Sequence, residues 1–451
     1  MKGKRIRCFI VACLCLFTLA FSGCGRFFKK SGETITVLHY RSEDADFYDW
    51  MVEKFEKEYN CTVQLDLVGT DGWGTLLEGK LRADAVDVFG VYPGSVYRDD
   101  ATLPYMMDLS DMDFIKKLTD EYVDYATYTD GKQYCAPLNL VSNTVFYNKA
   151  IFNQYNLKEP TNYSEFIAVC ETIKNYSEDF GHEGNKVNGN KLVAPILFGG
   201  RETWPITMTL NSIEAVVVRA VDPWFYVDVF KNKTKSFDDP LIEEMFAKYK
   251  EISSYYQMNS FGVSYSRVPG LFARGEYAML IDGSWSYSQI LSANPDIEIG
   301  VFPLPANDSS DYKNYTVAKP GSGFAIHKNT SHEDLAKKFI EFQYREDIYQ
   351  KFLSEVKMGS VLKDIDNPSD DPIIDELYNS DYTNISPMAE YIISSMSYPH
   401  SICENLAIGG KDVAYAITQM ESDRNKSMSQ EAALLDRWMA LYNKNYQEPQ
   451  Q

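Results

Sequence analysis

Strand-like and helix-like patterns alternate along the first part of the chain, and this alternation restricts the fold more than any other feature. Residues 33–40, 61–68 and 86–91 are rich in β-branched and apolar side chains, as expected of strands. Between the first two, Phe47 and Met51 lie four residues apart, which places them on one face of a helix. Strands that alternate with helices form a mainly parallel sheet with helices on its faces. The sequence therefore predicts an α/β fold.

The same alternation continues through the rest of the chain. Asn162 and Glu165 have the spacing of a capping box, which predicts the start of a helix. Ser331 precedes a segment in which apolar residues recur with helical spacing. Further strands are predicted at residues 145–147, 192–198, 277–281, 297–304 and 318–327, with two closing helices at 404–421 and 429–443.

The first 23 residues have the composition of an export signal. Four cations precede an apolar run over residues 8–21, which is shorter than the roughly 20 residues that a membrane-spanning helix needs. Residues 22–24, Ser-Gly-Cys, then resemble the bacterial lipoprotein signal, which is cleaved before a cysteine that receives lipid. We expect a signal peptide over 1–23 and a tether over 24–33. The alternative is an ordinary signal peptide followed by an incidental cysteine.

This pattern predicts where the mature protein resides. A chain lipidated at Cys24 is held at the extracytoplasmic face of the bacterial cell membrane by its lipid alone. The chain carries 64 acidic and 44 basic residues, for a formal charge of −20. Phosphate backbones and anionic lipid headgroups repel such an acidic protein. The charge therefore argues against nucleic acid as a partner and against membrane binding through a polybasic surface.

The chain lacks the sequence motifs of the common enzyme classes. It has no H-E-x-x-H metal motif, no G-x-S-x-G elbow and no phosphate-binding P-loop. The acidic segment 364–372 lacks the spacing of a calcium loop. The sequence therefore predicts a protein without catalytic residues, metal or cofactor. Beyond the leader, the cysteines are widely spaced and their pairing stays open: Cys61, Cys135, Cys170 and Cys403.

Four segments together resemble the extracellular solute-binding proteins of ABC importers, in the group that binds carbohydrates. They occur in the family's order across residues 34–345: ITVLHY at 35–40, GKQYCAPLNLVSNTVFYNKAIF at 131–152, FARGEYAMLIDGSWSYSQI at 272–290 and GSGFAIHKNTSHEDLAKKFIEFQ at 321–343. One departure is Asn162-Tyr163, which stands where Thr-Trp is usual.

The resemblance implies a fold of two helix-covered lobes, each with a mainly parallel sheet, joined by crossing hinge strands. The first lobe would comprise residues 31–142 and 303–355, and the second 143–302 and 356–451. The resemblance further implies a monomer that binds a carbohydrate, such as an oligosaccharide, between its lobes. That protein would deliver its ligand to the permease subunits and ATPase of an ABC transporter.

Candidate ligand-binding residues come from two sources. Loops at the carboxyl ends of parallel strands carry binding groups, and sugars require flat aromatic faces beside planar polar side chains. This reasoning selects Tyr40, Arg41, Glu43, Asp71, Trp73 and Tyr92. Asn139 and Asn143 are further candidates because they flank the segment that, by the resemblance, crosses between the lobes. The resemblance adds Trp285, at a position where a tryptophan stacks on sugar, together with Asp282 and Arg201, while Glu202 and Trp204 remain undecided.

Two other functions remain open on the sequence alone. A surface-anchored glycoside hydrolase needs two carboxylates at a cleft, a pairing that a sequence neither reveals nor excludes. The same binding fold also serves other solutes, such as a phosphodiester, a polyamine or a peptide. An anionic solute would require Arg41 or Arg201 in the cleft, whereas the aromatic content of 14% favours a sugar.

Overall fold

A computed structural model describes the chain over residues 32–70, 72–93, 102–128, 130–202, 204–309, 316–368, 370–378, 383–384 and 399–424. The predicted leader, Cys24, Asp71 and the predicted helix at 429–443 lie outside these residues. Within them, no helix is both long and apolar enough to cross a membrane.

The strands and helices follow one another in the predicted alternating order. The strands are β1 (Thr34–His39), β2 (Thr62–Leu67), β3 (Val88–Val91), β4 (Ala136–Asn148), β5 (Lys186–Val187), β6 (Asn190–Lys191), β7 (Ala194–Leu197), β8 (Tyr277–Gly283), β9 (Ile299–Phe302), β10 (Thr316–Ile326) and β11 (Thr383–Asn384). The helices are α1 (Ala45–Tyr59), α2 (Trp73–Arg82), α3 (Asp120–Ala126), α4 (Lys149–Gln154), α5 (Tyr163–Lys174), α6 (Ile206–Glu214), α7 (Phe225–Val227), α8 (Pro240–Ser253), α9 (Val268–Phe272), α10 (Ser286–Ala293), α11 (Glu333–Gln343), α12 (Glu346–Val356), α13 (Pro372–Tyr378) and α14 (Pro399–Ala407).

One sheet contains all of these strands except the short β5–β6 hairpin. Its order is β2-β1-β3-β10-β4-β8-β7, with β9 beside β4 and β11 beside β10. The outer strands pair in parallel, β1 with β2 and β3 at one end and β7 with β8 at the other. The long strands β4 and β10 run antiparallel to each other and to their other neighbours in that order. The predicted α/β fold is confirmed.

Strand β4 is much longer than the three residues that the sequence predicted. It is buried along all of its 13 residues, so it shows no alternation of apolar and polar side chains by which its extent could be recognised. Residues 136–142 pair with β10, whereas residues 143–148 pair with β8 and β9. This single strand therefore connects the two parallel parts of the sheet.

The start of α5 follows the predicted capping box in part. The Asn162 side chain accepts a hydrogen bond from the Glu165 backbone N–H at 2.9 Å. The Glu165 carboxylate, however, accepts from the backbone N–H and the hydroxyl of Thr161, at 2.8 and 2.9 Å, and not from the Asn162 backbone N–H as a full capping box requires. The helix begins where predicted because the cap satisfies an otherwise unpaired N–H group.

Apolar side chains form two large cores and a smaller one within the described residues. Phe55 of α1 and Phe339 of α11 are fully buried in the first core, beside β1 and β10. Phe166 of α5 and Phe246 of α8 are buried in the second, beside β7 and β8. Phe89 of β3 belongs to the third. Each buried phenylalanine contributes about 1.5–3 kcal/mol to folding. The four cysteines whose pairing was open are all buried and carry free thiols.

The segment after α12 joins the middle of the sheet. Gly359 and Leu140 exchange two backbone hydrogen bonds, at 2.8 and 3.1 Å. The buried hydroxyl of Tyr378 donates to Ser284 Oγ at 2.6 Å. Ser284 Oγ also accepts from the Ser142 N–H at 3.1 Å. These bonds connect α13 to β4 and to the turn after β8.

Tyr378→Phe tests this connection. Loss of one buried hydroxyl–hydroxyl bond is expected to lower the free energy of unfolding by about 1 kcal/mol, measured by urea denaturation. Tyr176→Phe is the matched control, because the Tyr176 side chain is half-exposed. Equal stabilities of the two variants would show that the Tyr378 bond contributes nothing.

Candidate functional site

The turn after β1 brings several predicted residues together. The Tyr40 hydroxyl lies 3.3 Å from the Gly321 carbonyl oxygen and 3.4 Å from that of Val91, and its ring packs edge-on against Trp73, with ring centres 5.3 Å apart. A Cβ atom at Gly90 would lie 3.2 Å from the Tyr40 ring, so this glycine in β3 provides the room that the ring occupies. Tyr40 and Trp73 thus form one aromatic pair beside β10.

The backbone at this turn is held by a neutral histidine. His39 Nδ1 accepts a hydrogen bond from the Arg41 N–H at 3.1 Å, which leaves its proton on Nε2. The pKa of His39 is held well below its ordinary value by burial and, less strongly, by the charge of Arg41. The ring therefore remains uncharged at neutral pH, and it orients Arg41 without adding a second positive charge.

Arg41 forms ion pairs with two neighbouring carboxylates. Its guanidinium donates to both oxygens of Asp44, at 2.6 and 3.1 Å, and lies 3.3 Å from the Glu43 carboxylate. Arg41 and Asp44 are each 5% exposed. A buried bidentate pair of this kind neutralises both partners, so Arg41 has little positive charge left for an anionic ligand. Asp44 was not predicted from the sequence.

The remaining predicted residues of this part are Tyr92, which directly follows β3, and Asn139, which lies on β4. The Lys319 ammonium lies 5.2 Å from the centre of the Tyr92 ring, within range of a cation–π contact. Asn139 is fully buried, and its Oδ1 accepts from the Ser322 N–H and hydroxyl, at 2.7 and 2.8 Å. Its Nδ2 has no partner in the described structure. We call Tyr40, Arg41, Glu43, Trp73, Tyr92 and Asn139 the first group.

A second group surrounds the turn after β8. The indole N–H of Trp285 donates to the Tyr265 hydroxyl, and the Tyr265 ring packs edge-on against Trp204, with centres 4.3 Å apart. The ring centres of Trp204 and Trp285 are 6.1 Å apart. A Cβ atom at Gly283 would overlap the six-membered ring of Trp285, so only glycine leaves space for this ring. The second group comprises Arg201, Glu202, Trp204, Ser264, Tyr265, Asp282, Trp285 and Ser286.

Asp282 is the centre of the hydrogen bonds in the second group. Its carboxylate accepts from the Tyr265 hydroxyl at 2.8 Å, from the Ser286 hydroxyl at 2.7 Å and from the Gly283 N–H at 2.7 Å. Burial raises the pKa of Asp282 to about 6, although these three hydrogen bonds oppose the shift. The carboxylate is therefore ionised at neutral pH and protonates under mildly acidic conditions.

Arg201 and Glu202 form the exposed side of the second group. The Arg201 guanidinium donates to Ser264 Oγ at 3.0 Å and to Glu202 at 3.2 Å. The Glu202 carboxylate also accepts from the Ser264 hydroxyl at 2.8 Å and from the Tyr265 N–H at 2.7 Å. Burial opposes its charge, but these hydrogen bonds hold the pKa of Glu202 below its ordinary value. Arg201 is therefore paired with a carboxylate, as Arg41 is.

Strand β4 connects the two groups. Asn139 pairs with Ser322 of β10 beside the first group, and Asn143 lies opposite Gly283 of β8 beside the second. The Ser142 carbonyl accepts from the Ser284 N–H at 2.8 Å. Asn143 is 8% exposed and thus belongs to the sheet more than to its surface.

Sequence reasoning missed Ser264, Tyr265 and Ser286. Tyr265 lies in a short 3-10 helix at Tyr265–Arg267, 20 residues before Trp285. A helix this short has no periodic pattern, so nothing in the sequence marks its contact with Trp285. Ser286 immediately follows Trp285, and its place in the same predicted segment could have identified it.

Flat aromatic faces beside hydrogen-bonding side chains suit a ligand that has both C–H faces and hydroxyl groups. The two arginines are matched by carboxylates, so the arrangement favours an uncharged ligand over an anion. Among the described residues, no three His, Cys, Asp or Glu side chains are arranged to hold a metal ion.

Asp282→Asn tests the buried carboxylate. The ordinary pKa is 3.8 and the folded value is about 6, so the folded state holds this proton more tightly than the unfolded chain. The tighter binding of this proton contributes roughly 3 kcal/mol to the free energy of unfolding. That contribution is fully present below about pH 4 and is lost as the pH rises to about 6 and above.

We expect the free energy of unfolding, measured by urea denaturation from pH 4 to 7, to decline less with pH in D282N than in the native protein. Asp49→Asn, at an exposed position of α1, is the control and should keep the native slope. Parallel profiles for D282N and the native protein would contradict the assignment.

The chain resembles several known proteins at low identity. It is 24% identical over 353 residues to the multiple sugar-binding protein of Streptococcus mutans, a match that covers 75% of this chain and 79% of that relative. It is 23% identical over 348 residues to the melibiose/raffinose/stachyose-binding protein MelE of Bacillus subtilis, covering 74% and 76%.

Solved structures share the same fold. A chitin oligosaccharide binding protein superposes with a TM-score of 0.71 at 20% identity, covering 88% of this chain and 99% of that one. A sugar transporter protein of Bacillus licheniformis in complex with stachyose superposes with a TM-score of 0.66 at 20% identity, covering 86% and 98%. These matches confirm the predicted fold class, that of periplasmic-binding-protein-like proteins.

The family model described as bacterial extracellular solute-binding protein matches residues 50–376. The match begins within α1 and ends within α13, so it includes the whole path of β4 and both groups of predicted site residues apart from Tyr40, Arg41 and Glu43. It covers well over half of the 451 residues. The chain therefore belongs to the family of bacterial extracellular solute-binding proteins.

Proposed function

We propose that this protein captures a carbohydrate, most suitably an oligosaccharide, outside the cell and delivers it unchanged to an ABC transporter. The observation that carries the proposal is the second group, in which Trp204, Tyr265 and Trp285 lie beside the carboxylates of Glu202 and Asp282. Aromatic faces cover the C–H faces of a sugar, and planar side chains bond its hydroxyl groups. One relative is named a multiple sugar-binding protein and another is named for melibiose, raffinose and stachyose, and both names support the same ligand class.

The ligand would lie between two lobes. We assign residues 31–142 and 303–355 to the first lobe and residues 143–302 and 356–451 to the second, with β4 and β10 as crossing strands. The change of pairing partner along β4, from β10 to β8 and β9, supports this division. The first group would then approach the ligand from one lobe and the second group from the other, and hinge bending would close the site.

An uncharged ligand fits the site better than an anion. Arg41 is paired with Asp44 and Glu43, and Arg201 with Glu202. A bound anion would have to displace a carboxylate from one of these guanidinium groups, or leave that carboxylate unpaired. Truncating one partner of a buried charge pair costs about 3–5 kcal/mol, which gives the scale of that penalty at Arg41.

A thermal-shift screen across monosaccharides and oligosaccharides tests the function directly. A true ligand at 100 times its dissociation constant adds about 2.7 kcal/mol to the stability of the folded state. Reducing-sugar release measured in the same wells distinguishes binding from glycoside hydrolysis. Stabilisation without cleavage supports the proposal; cleaved glycans would replace it with the hydrolase.

Trp285→Ala is expected to weaken binding of the ligand found in that screen by at least about tenfold, roughly 1.4 kcal/mol, measured by titration calorimetry. The reason is that the stacking face is lost. Trp50→Ala is the matched control, because Trp50 lies on α1 with the Lys54 and Lys351 ammonium groups each 4.8 Å from its ring centre, and it belongs to neither group. Unchanged affinity in W285A would exclude Trp285 from the site.

The membrane location rests on Cys24, and we propose that its sulfur carries the lipid after cleavage of residues 1–23. The protein would then work as a monomer beside the permease subunits and their ATPase, tethered at the extracytoplasmic face.

Cys24→Ala is expected to release the protein from the membrane fraction into the soluble fraction, because one acylated cysteine would be its only anchor. Fractionation of cells that express each form, followed by immunoblotting, provides the measurement. Cys403→Ala, at a buried free thiol, is the control and should remain membrane-bound. A C24A protein that stays with the membrane would refute the anchor.

A further inference from the structure

The Trp285 ring is held at two points by contacts within the protein. Its six-membered ring lies against the backbone of Gly283, where a Cβ atom would overlap it. Its indole N–H donates to the Tyr265 hydroxyl. The side chain is thus restricted at both of its ends, by steric contact at the ring and by a hydrogen bond at the nitrogen.

The donor and acceptor of each hydrogen bond among Trp285, Tyr265 and Asp282 follow from the chemistry of these groups. An indole N–H is only a donor and an ionised carboxylate is only an acceptor. The Tyr265 hydroxyl has a single hydrogen, so it accepts from Trp285 and donates to Asp282 Oδ1 at 2.8 Å. The Ser286 hydroxyl donates to the other carboxylate oxygen at 2.7 Å. Trp285, Tyr265 and Asp282 therefore form one chain with a single polarity.

Tyr265 itself is held from its other side. Its backbone N–H donates to the Glu202 carboxylate at 2.7 Å, and its ring packs edge-on against Trp204, with centres 4.3 Å apart. Both its backbone and its ring are thus restrained, so its hydroxyl presents a fixed acceptor to Trp285.

We propose that Tyr265 is a positioning residue, which holds the Trp285 ring in the orientation that stacks on the ligand by linking its indole nitrogen to Asp282. The proposal rests on the proposed function and adds a residue to it. Because contacts within the protein hold the ring, binding would cost less ordering entropy, which strengthens affinity.

Tyr265→Phe tests the proposal, since it removes the hydroxyl and keeps the ring against Trp204. The readout is the indole ¹H–¹⁵N resonance of Trp285 in the unliganded protein, identified by its absence in Trp285→Phe. We expect that resonance to shift and its hydrogen exchange to become about tenfold faster. We also expect affinity for the sugar found in the screen to fall about fivefold.

The matched control is Tyr287→Phe. Tyr287 lies on α10, and its hydroxyl donates to the carboxylate of Asp371, just before α13, at 3.1 Å. The variant therefore loses the same kind of bond, while the hydrogen bonds among Trp285, Tyr265 and Asp282 stay intact. The Trp285 resonance and the affinity should keep their native values. A signal that changes equally in both variants would mean general loosening of the fold and would overturn the proposal.

Asp282→Asn tests the same series of hydrogen bonds at the Asp282 end. It replaces Y265F as the test if Y265F does not fold. It removes the charge that Tyr265 donates to, and the Trp285 resonance should shift in the same direction. An unchanged resonance in the folded variants, or a changed resonance with native affinity, overturns the positioning role. If the native protein binds no sugar, the proposed function fails, while the resonance still reports whether Tyr265 holds Trp285.

Discussion

The structure depends on a long strand that is buried from end to end. Every backbone N–H and C=O group in the 13 residues of β4 requires a partner, because an unpaired buried polar group costs about 1–3 kcal/mol. One neighbour, β10, supplies partners for the first half, and β8 and β9 supply them for the second. The two parallel parts of the sheet are therefore joined through β4, and the polar residues Asn139 and Asn143 are carried into its middle.

In both groups of site residues, the positive charge of the arginine is paired with neighbouring carboxylates. Arg41 is matched by Asp44 and Glu43, and Arg201 by Glu202. Asp282 has neutral donors instead, and its desolvation is expressed as a raised pKa. Carboxylates thus organise the aromatic side chains near them while leaving little net positive charge. This balance is the physical reason for favouring an uncharged, hydroxyl-rich ligand.

Much of the architecture could be predicted from local patterns. The observed α1 (Ala45–Tyr59) and β2 (Thr62–Leu67) lie within or close to the predicted segments, because apolar periodicity reports which face is buried. The length of β4 could not be predicted, since a strand buried on all sides has no such periodicity. Asn162 was identified as a cap correctly, but the partner of Glu165 depends on the chain before the helix.

The sequence by itself determined the alternating α/β order, the acidic surface, the candidate aromatic residues and the family resemblance, since each is a property of local spacing or composition. Only the tertiary structure decided which of those residues meet. Tyr265 and Trp285 are 20 residues apart in sequence, and Tyr40 and Gly321 are 281 residues apart. Their contacts arise from the packing of β8, β10 and the turns between elements, and no local pattern encodes the packing of residues that meet only when the chain is folded.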